Sequence, residues 1–276
     1  MASPKTILIT GASDGIGAVA ARELAGPEVN LLIVGRSAEK TAQVAANTGA
    51  TAFTADFARL DDVRTLAQHI REQVGTIDAL LNNAGGTFEP ALTTPDGHEP
   101  NFQINHLAPF LLTNLLRDQL AAAANGALVL NTSSIGNNFG SVDLDDLDWT
   151  RRRKFQGRAY GTSKLQNIMF TRGIAQRWQG DGIVSAAVHP GPVASSFGRD
   201  SVIIGLAYRT PLKHVGAITP AKGAAPLIAL TRRGPDPAIN GVYFSRHRAG
   251  GRENPQAHDQ RLIDGLWARS AAIVGI

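Results

Sequence analysis

Cysteine is absent from this 276-residue chain. That excludes disulfides, thiolate metal sites and a cysteine nucleophile, and it predicts a protein kept in the cytoplasm. Long apolar runs are missing too: none reaches the roughly 20 residues of a membrane span. The opening MASPKTILIT leads straight into a strand-like run, without a signal-peptide apolar region and cleavage site. Charge is modest at 18% of residues, and the net charge of +4 is too small to argue for a nucleic-acid partner. The seven histidines show no metal-ligand spacing, so no metal site is expected. No G-x-S-x-G elbow follows a strand, which argues against a serine hydrolase. Tyrosine is scarce, with three in the whole chain.

Glycine, in contrast, is abundant, with 29 residues. It punctuates an alternation of apolar runs and amphipathic segments. Strand-like runs are expected at 5–10, 30–35, 51–56, 77–85, 126–134, 183–191 and 241–245. Helical spacing is expected at 15–25, 38–47, 60–74, 100–123, 158–178, 220–231 and from about 256. Such alternation predicts an α/β chain: one Rossmann-type domain over 1–276, with a doubly wound parallel sheet of about seven strands flanked by helices. The strands are continuous apolar runs, as a sheet covered on both faces requires. Two irregular segments, 136–157 and 192–219, follow strand C-terminal ends, where open α/β sheets bind ligands. They read as loops covering a site. Aromatic residues within them (Phe139, Trp149, Phe155, Phe197 and Tyr208) suggest a hydrophobic or aromatic ligand. The run Arg151-Arg152-Arg153-Lys154 reads as a solvated loop, with a phosphate or partner contact as the alternative.

After the first strand comes TGASDGIG, residues 10–17. Gly11, Gly15 and Gly17 do not have the G-x-G-x-x-G spacing, but the logic is shared. A glycine-rich turn leaves a strand and opens a helix, whose N-terminal N–H groups face an anion. The second strand ends in IVGRS, where an acid would bind the ribose hydroxyls of NAD. This chain has Arg36 instead, and an arginine there accommodates a 2′-phosphate, so NADP is expected over NAD. Asp14, close to the phosphates, is a signal in the other direction. Further along, Tyr160 and Lys164 stand at i and i+4 on one helix face. A phenol beside an ammonium is either surface decoration or a proton donor with the charge that tunes it.

Five motifs in order settle how these fragments relate: TGASDGIG (10–17), NNAG (82–85), INHLAPF (104–110), YGTSK (160–164) and HPGPV (189–193). Together they resemble the short-chain dehydrogenases/reductases over nearly the whole length. NHLAPFLLTNLL, YGTSKLQNIMFTRGIAQRW, AVHPG and the terminal RLIDGLWARSAAIVGI look like the retinol dehydrogenase-like branch. Membrane-bound members of that branch carry an N-terminal apolar anchor that this chain lacks, so a soluble relative is expected.

The resemblance implies NADP-dependent hydride exchange between a carbonyl and an alcohol. It makes Tyr160 the acid/base, with Lys164 beside it favouring the phenolate. Ser134 would hold the substrate oxygen. Ser133 is its rival for that place, since neighbours on a strand face opposite ways. Asn105 would hold a water linking the lysine to solvent, while His106 beside it reads as a packing residue. Gly11, Ser13, Gly15, Ile16 and Gly17 would line the pyrophosphate, and Arg36 would meet the 2′-phosphate. Asp56 would bind the adenine, and Asn82 and Ala84 would flank the ribose. Pro190, Gly191, Val193 and Ser195 would hold the nicotinamide side, with Ser195 standing where members usually have threonine. A small-molecule carbonyl or alcohol is the implied partner, and a homodimer or homotetramer the implied assembly. The rival readings are an NADP-binding sensor or scaffold without turnover, and a specialised pigment or polyketide tailoring reductase.

Overall fold

The computed structural model describes residues 4–89, 91–152, 155–192 and 218–276. Eight strands form one sheet: β1 (Lys5–Thr10), β2 (Val29–Gly35), β3 (Thr51–Thr54), β4 (Ala79–Asn82), β5 (Ala127–Thr132), β6 (Ile183–His189), β7 (Val242–Ser245) and β8 (Arg248–Ala249). Their order is β3-β2-β1-β4-β5-β6-β7-β8, and every pairing up to β7 is parallel. The eighth strand exceeds the seven expected. It is a two-residue antiparallel addition beside Phe244 and Ser245, too short to show a periodicity in sequence.

Period-two alternation assigns the strand side chains to two apolar layers. Leu8, Leu32, Leu80 and Val129 face one way, and Ile9, Ile33, Leu81 and Leu130 the other. The second face is covered by α1 (Gly15–Leu24), α2 (Ala38–Thr48) and α7 (Pro220–Arg233). The first is covered by α3 (Leu60–Gln73), α4 (100–115), α6 (Gln156–Arg177) and α8 (Gln260–Val274). Phe110 packs 5.1 Å from both Phe170 and Trp267, measured between ring centroids, and so ties α4, α6 and α8 together. His106 belongs to this packing. It stacks on Phe102 at 5.8 Å and meets the Ser270 hydroxyl at 2.9 Å, and burial pushes its pKa down to about 3.

Three expected boundaries shift for local reasons. The helix expected over 100–123 is composite: Pro100–Phe102, a π-helical turn at Gln103–Leu107, then Ala108–Leu115. Leu116 leaves helical geometry at φ −103° and ψ 11°, so Arg117–Ala121 forms a separate short α5. The last helix begins at Gln260 because Asp259 caps it, accepting from the N–H groups of Arg261 and Leu262. Residues 135–139 form a 3-10 turn directly after β5.

The segment 140–152 is built around Asp146. Its side chain is 1% exposed and ion-pairs with Arg152 at 3.1 Å, and Arg152 lies 4.1 Å over the Trp149 ring. Trp149 is itself buried, so it is loop core rather than a ligand contact. Arg151 donates to the Asp145 carbonyl. Two of the four basic residues are thus occupied within the loop, while Arg153 and Lys154 lie outside the described residues. So do Phe197 and Tyr208, with nearly all of 192–219.

Candidate active site

The strand order reverses between β1, which continues to β2 and β3, and β4, which continues to β5 and beyond. Crossovers depart to opposite sides there, which opens a crevice at the strand C-terminal ends. A cleft of about 320 Å³ lies there. One wall is the loop from β1 into α1. Gly11 has φ +66°, and a Cβ on it would stand 2.7 Å from the Ala84 Cα. A Cβ on Gly17 would stand 2.2 Å from the Gly11 carbonyl oxygen. Both positions therefore need glycine, one for its backbone and one for helix–loop contact. Thr10 locks this loop to the end of β4. Its hydroxyl accepts from the N–H groups of Asn83 and Ala84, both at 3.0 Å. Asn83 returns a bond from Nδ2 to the Thr10 carbonyl at 3.1 Å.

Gly11, Ser13, Gly15, Ile16, Arg36, Asp56, Ala84, Ser134, Tyr160, Lys164, Pro190 and Gly191 all line this one cleft. Three expected site residues do not. Gly17 packs behind the loop. Asn82 turns into the core, its Nδ2 donating to the Thr113 hydroxyl and to Asn131 Oδ1, both at 2.9 Å. The following Asn83 lines the cleft in its stead. Asn105 is fully buried in the π turn. Its Oδ1 accepts from the Gly86 N–H, while its Nδ2 donates to the Gly86 carbonyl and the Ser163 hydroxyl. It thus braces the turn after β4 against α6. Val193 and Ser195 lie outside the described residues. Asp14, which the sequence reading set against phosphate binding, caps α1 and pairs with Lys40 at 3.8 Å, so its charge is partly answered.

At the far end, α6 brings Tyr160 and Lys164 beside the end of β5. Ser133 turns away and donates to the Lys164 carbonyl at 2.7 Å. Ser134 hydrogen-bonds the Tyr160 phenol. Both serines line the cleft, but alternation sends the Ser133 hydroxyl to α6 and leaves the Ser134 hydroxyl at the phenol. Lys164 is 2% exposed, and its Nζ donates to the Thr132 carbonyl at 3.3 Å and lies 5.7 Å from the Tyr160 ring centroid. Burial raises the phenol to about 12 against the lowering effect of Ser134, and burial lowers the lysine to about 7. The spacing predicts that the lysine depresses the phenol; instead desolvation by burial is the largest effect on it, and the opposing contribution comes from Ser134.

Missed by sequence reasoning were Gly86, Thr87 and Phe88, which extend the cleft wall beyond NNAG, together with Gly85 at the end of that motif and His189. Burial first, then the nearby Arg246 charge, lowers His189 to about 4, so it is neutral at physiological pH. Only the NNAG and HPG motifs pointed near them. Among the described residues, no group of three or more histidines and acids could hold a metal, and no helix is long and apolar enough to cross a membrane.

A family model described as short chain dehydrogenase matches residues 5–145. The chain belongs to the short-chain dehydrogenase family. It is 40% identical over 277 residues to DnrU of Streptomyces sp. (strain C5), covering 98% of this chain and 93% of that protein, which is named provisionally a daunorubicin C-13 ketoreductase. It is 35% identical over 285 residues to human retinol dehydrogenase 13, covering 99% and 85%. Among solved structures it resembles the Pseudomonas aeruginosa RhlG/NADP active-site complex, with TM-score 0.68 and 25% identity over 88% of this chain and 94% of that one.

The site of this short-chain dehydrogenase fits a nicotinamide dinucleotide. The glycine loop packs tightly against Ala84 and on itself and leads into the N-terminus of α1 along the cleft wall, where an anion such as a pyrophosphate fits. A buried ammonium, Lys164, spends one of its three N–H donors on the protein and lines the cleft. The enzyme is an NAD(P)-dependent oxidoreductase acting on alcohol or carbonyl groups of a small molecule.

Proposed function

We propose that the enzyme uses NADP(H) to interconvert a hydrophobic carbonyl compound and its alcohol, with Tyr160 as general acid/base. The observation that carries this reading is the convergence of Ser134, Tyr160 and Lys164 at one end of a cleft whose other end holds Arg36. Bound NADPH supplies the hydride. The chain's own part is the oxygen. The Ser134 hydroxyl donates to the substrate carbonyl, and the Tyr160 hydroxyl delivers the proton as negative charge develops there. Lys164 holds the nicotinamide ribose and favours the phenolate form that remains. Asp56 serves the adenine, Ala84 the ribose, and Pro190, Gly191, Val193 and Ser195 the nicotinamide side. Asn105 holds the turn that lets Lys164 communicate with solvent.

Three exposed apolar side chains support a hydrophobic substrate: Ile135 and Phe139, in the turn directly after Ser134, and Phe155, at the start of the tyrosine-bearing helix. The similarity to a protein named for daunorubicin ketoreduction favours a specialised tailoring reductase as the narrower form of this reading. A cytoplasmic homodimer or homotetramer is part of the same proposal, and light scattering on the purified protein tests the assembly.

The deciding assay follows loss of reduced-nicotinamide absorbance with NADPH and NADH, against aromatic and long-chain aldehydes and ketones. Tyr160→Phe should lose turnover by at least ~100-fold while binding NADPH as the wild type does. Undiminished turnover in that variant would sink the mechanism. Tight NADPH binding with no turnover of any carbonyl in the wild type would favour the sensor reading instead.

A further inference from the structure

The turn that follows Ser134 is held from outside the cleft by two buried amides, Asn137 and Asn254, and at its surface by Asn138, which donates to the Arg252 carbonyl at 3.2 Å. Asn137, three residues on, is completely buried. Its Nδ2 donates to the Ser134 carbonyl at 2.7 Å and to the Tyr243 hydroxyl at 3.3 Å. Its Oδ1 accepts from the Asn254 N–H at 2.9 Å. Asn254 answers from its own Nδ2, which donates to the carbonyls of Asn137 at 3.3 Å and Gly140 at 2.8 Å. One side chain thus joins three segments that are far apart in sequence: the Ser134 turn, strand β7 through Tyr243, and the stretch leading to α8 through Asn254.

The stretch carrying Asn254 is itself anchored to the tyrosine-bearing helix. Glu253 pairs with Arg172 of α6 at 2.9 Å, and Arg172 also donates to the Ala257 carbonyl at 2.6 Å. The turn is pressed against α6 as well. A Cβ on Gly161 would stand 2.4 Å from the Gly136 carbonyl oxygen, and one on Gly136 would stand 3.3 Å from the Tyr160 ring. The Ser134 hydroxyl caps the turn by accepting from the Gly136 N–H at 3.1 Å. Its position is therefore coupled to the turn's own geometry. None of Asn137, Tyr243 and Asn254 lines the cleft. A polar network this deep is costly unless satisfied, and when satisfied it fixes one geometry.

We propose that Asn137, clasped by Tyr243 and Asn254, is a positioning residue that holds the Ser134 hydroxyl against the Tyr160 phenol. It acts through Ser134 and touches neither cofactor nor substrate. This rests on the acid/base reading of Ser134 and Tyr160 given above. The reason to expect a kinetic effect is geometric: a displacement of about 1 Å between reacting groups costs on the order of 100-fold in rate.

The test uses Asn137→Asp, which keeps the shape and the acceptor and removes both donors, and Tyr243→Phe, which removes only the hydroxyl. Turnover is read with NADPH and benzaldehyde, NADPH binding by fluorescence titration, and backbone order by amide hydrogen exchange. Asn137→Asp should lower kcat by roughly 10- to 100-fold. NADPH should still bind one per chain, with Kd within about twofold of wild type. Tyr243→Phe should lower kcat by a smaller factor, and the double variant should be no worse than Asn137→Asp alone, because both changes break one connection. Amides of 135–140 should exchange faster in both single variants.

A merely structural asparagine gives a different result: the kcat loss would match a loss of binding stoichiometry, and that would overturn the proposal. Unchanged kcat and unchanged exchange at 135–140 in Tyr243→Phe would overturn it too, even where Asn137→Asp fails to fold. Should Tyr160→Phe leave turnover intact, the acid/base reading falls by itself, and amide exchange then decides the clasp.

Discussion

Lys164 is the residue at which function and stability pull apart most plainly. An ammonium 2% exposed, with one carbonyl partner, is held down to about 7 by desolvation. In the unfolded chain it titrates near its ordinary value. Between about 7 and 10.5 the unfolded lysine therefore binds a proton that the folded one does not. Stability rises with pH across that window and carries the full penalty below it. Lys164→Met removes the charge and keeps the apolar stem's volume. It should raise neutral-pH stability by a few kcal/mol in urea melts and flatten the pH dependence between 7 and 10, while abolishing turnover. A variant less stable than wild type at pH 7 would show that the Thr132 bond outweighs desolvation. Tyr160 repeats the conflict, since burial that raises its phenol to about 12 opposes its use as a base.

The elements show how much was legible in the sequence and what hid the rest. β1, β2, β5 and β6 are legible because a parallel strand covered on both faces carries a continuous apolar stretch at its centre, as residues 7–9, 31–34, 127–130 and 186–188 do. The Tyr160–Lys164 spacing was readable because i and i+4 must share a helix face. The π turn at Gln103–Leu107 left no such mark. It adds one residue per turn without changing composition, and it is what places Asn105 between Gly86 and Ser163. The inward turn of the Asn82 side chain was hidden for a related reason. Two adjacent asparagines at a strand end look alike, and only the strand's register decides which one faces the core. In segment 140–152 the sequence showed a basic cluster, whereas the organiser is a carboxylate. Asp146 accepts from the backbone N–H groups of Thr150, Arg151 and Arg152 and pairs with the Arg152 side chain. Asp146→Ala removes the acceptor of three backbone N–H groups and one partner of Arg152, which keeps its bonds to the Ser141 and Asp146 carbonyls, and should cost about 1–3 kcal/mol in urea denaturation. A loss below about 1 kcal/mol would mean that the loop is held by other contacts.

At the scale of the whole molecule, the cleft lies where the sheet's winding reverses, so its two walls belong to different halves of the chain. β1 to β3 carry the glycine loop, Arg36 and Asp56. β4 to β6 carry Ala84, Ser134 and the Pro190-Gly191 turn, and α6 between β5 and β6 adds Tyr160. A dinucleotide spanning that cleft binds only when both halves are folded against each other, so its binding free energy becomes folding free energy. At a concentration about 100-fold above Kd this amounts to about 2.7 kcal/mol, enough to raise Tm by several degrees in a chain of this size. If Arg36 holds the 2′-phosphate as proposed, NADPH should stabilise the wild type more than NADH at equal concentration, because only NADPH carries that charge. Arg36→Glu should invert the order: the carboxylate repels the 2′-phosphate and can accept from the ribose hydroxyls. Both thermal shifts are read on one protein without any substrate, so the outcome is independent of which carbonyl the enzyme reduces. Equal shifts with the two cofactors in the wild type would remove Arg36 from the discrimination.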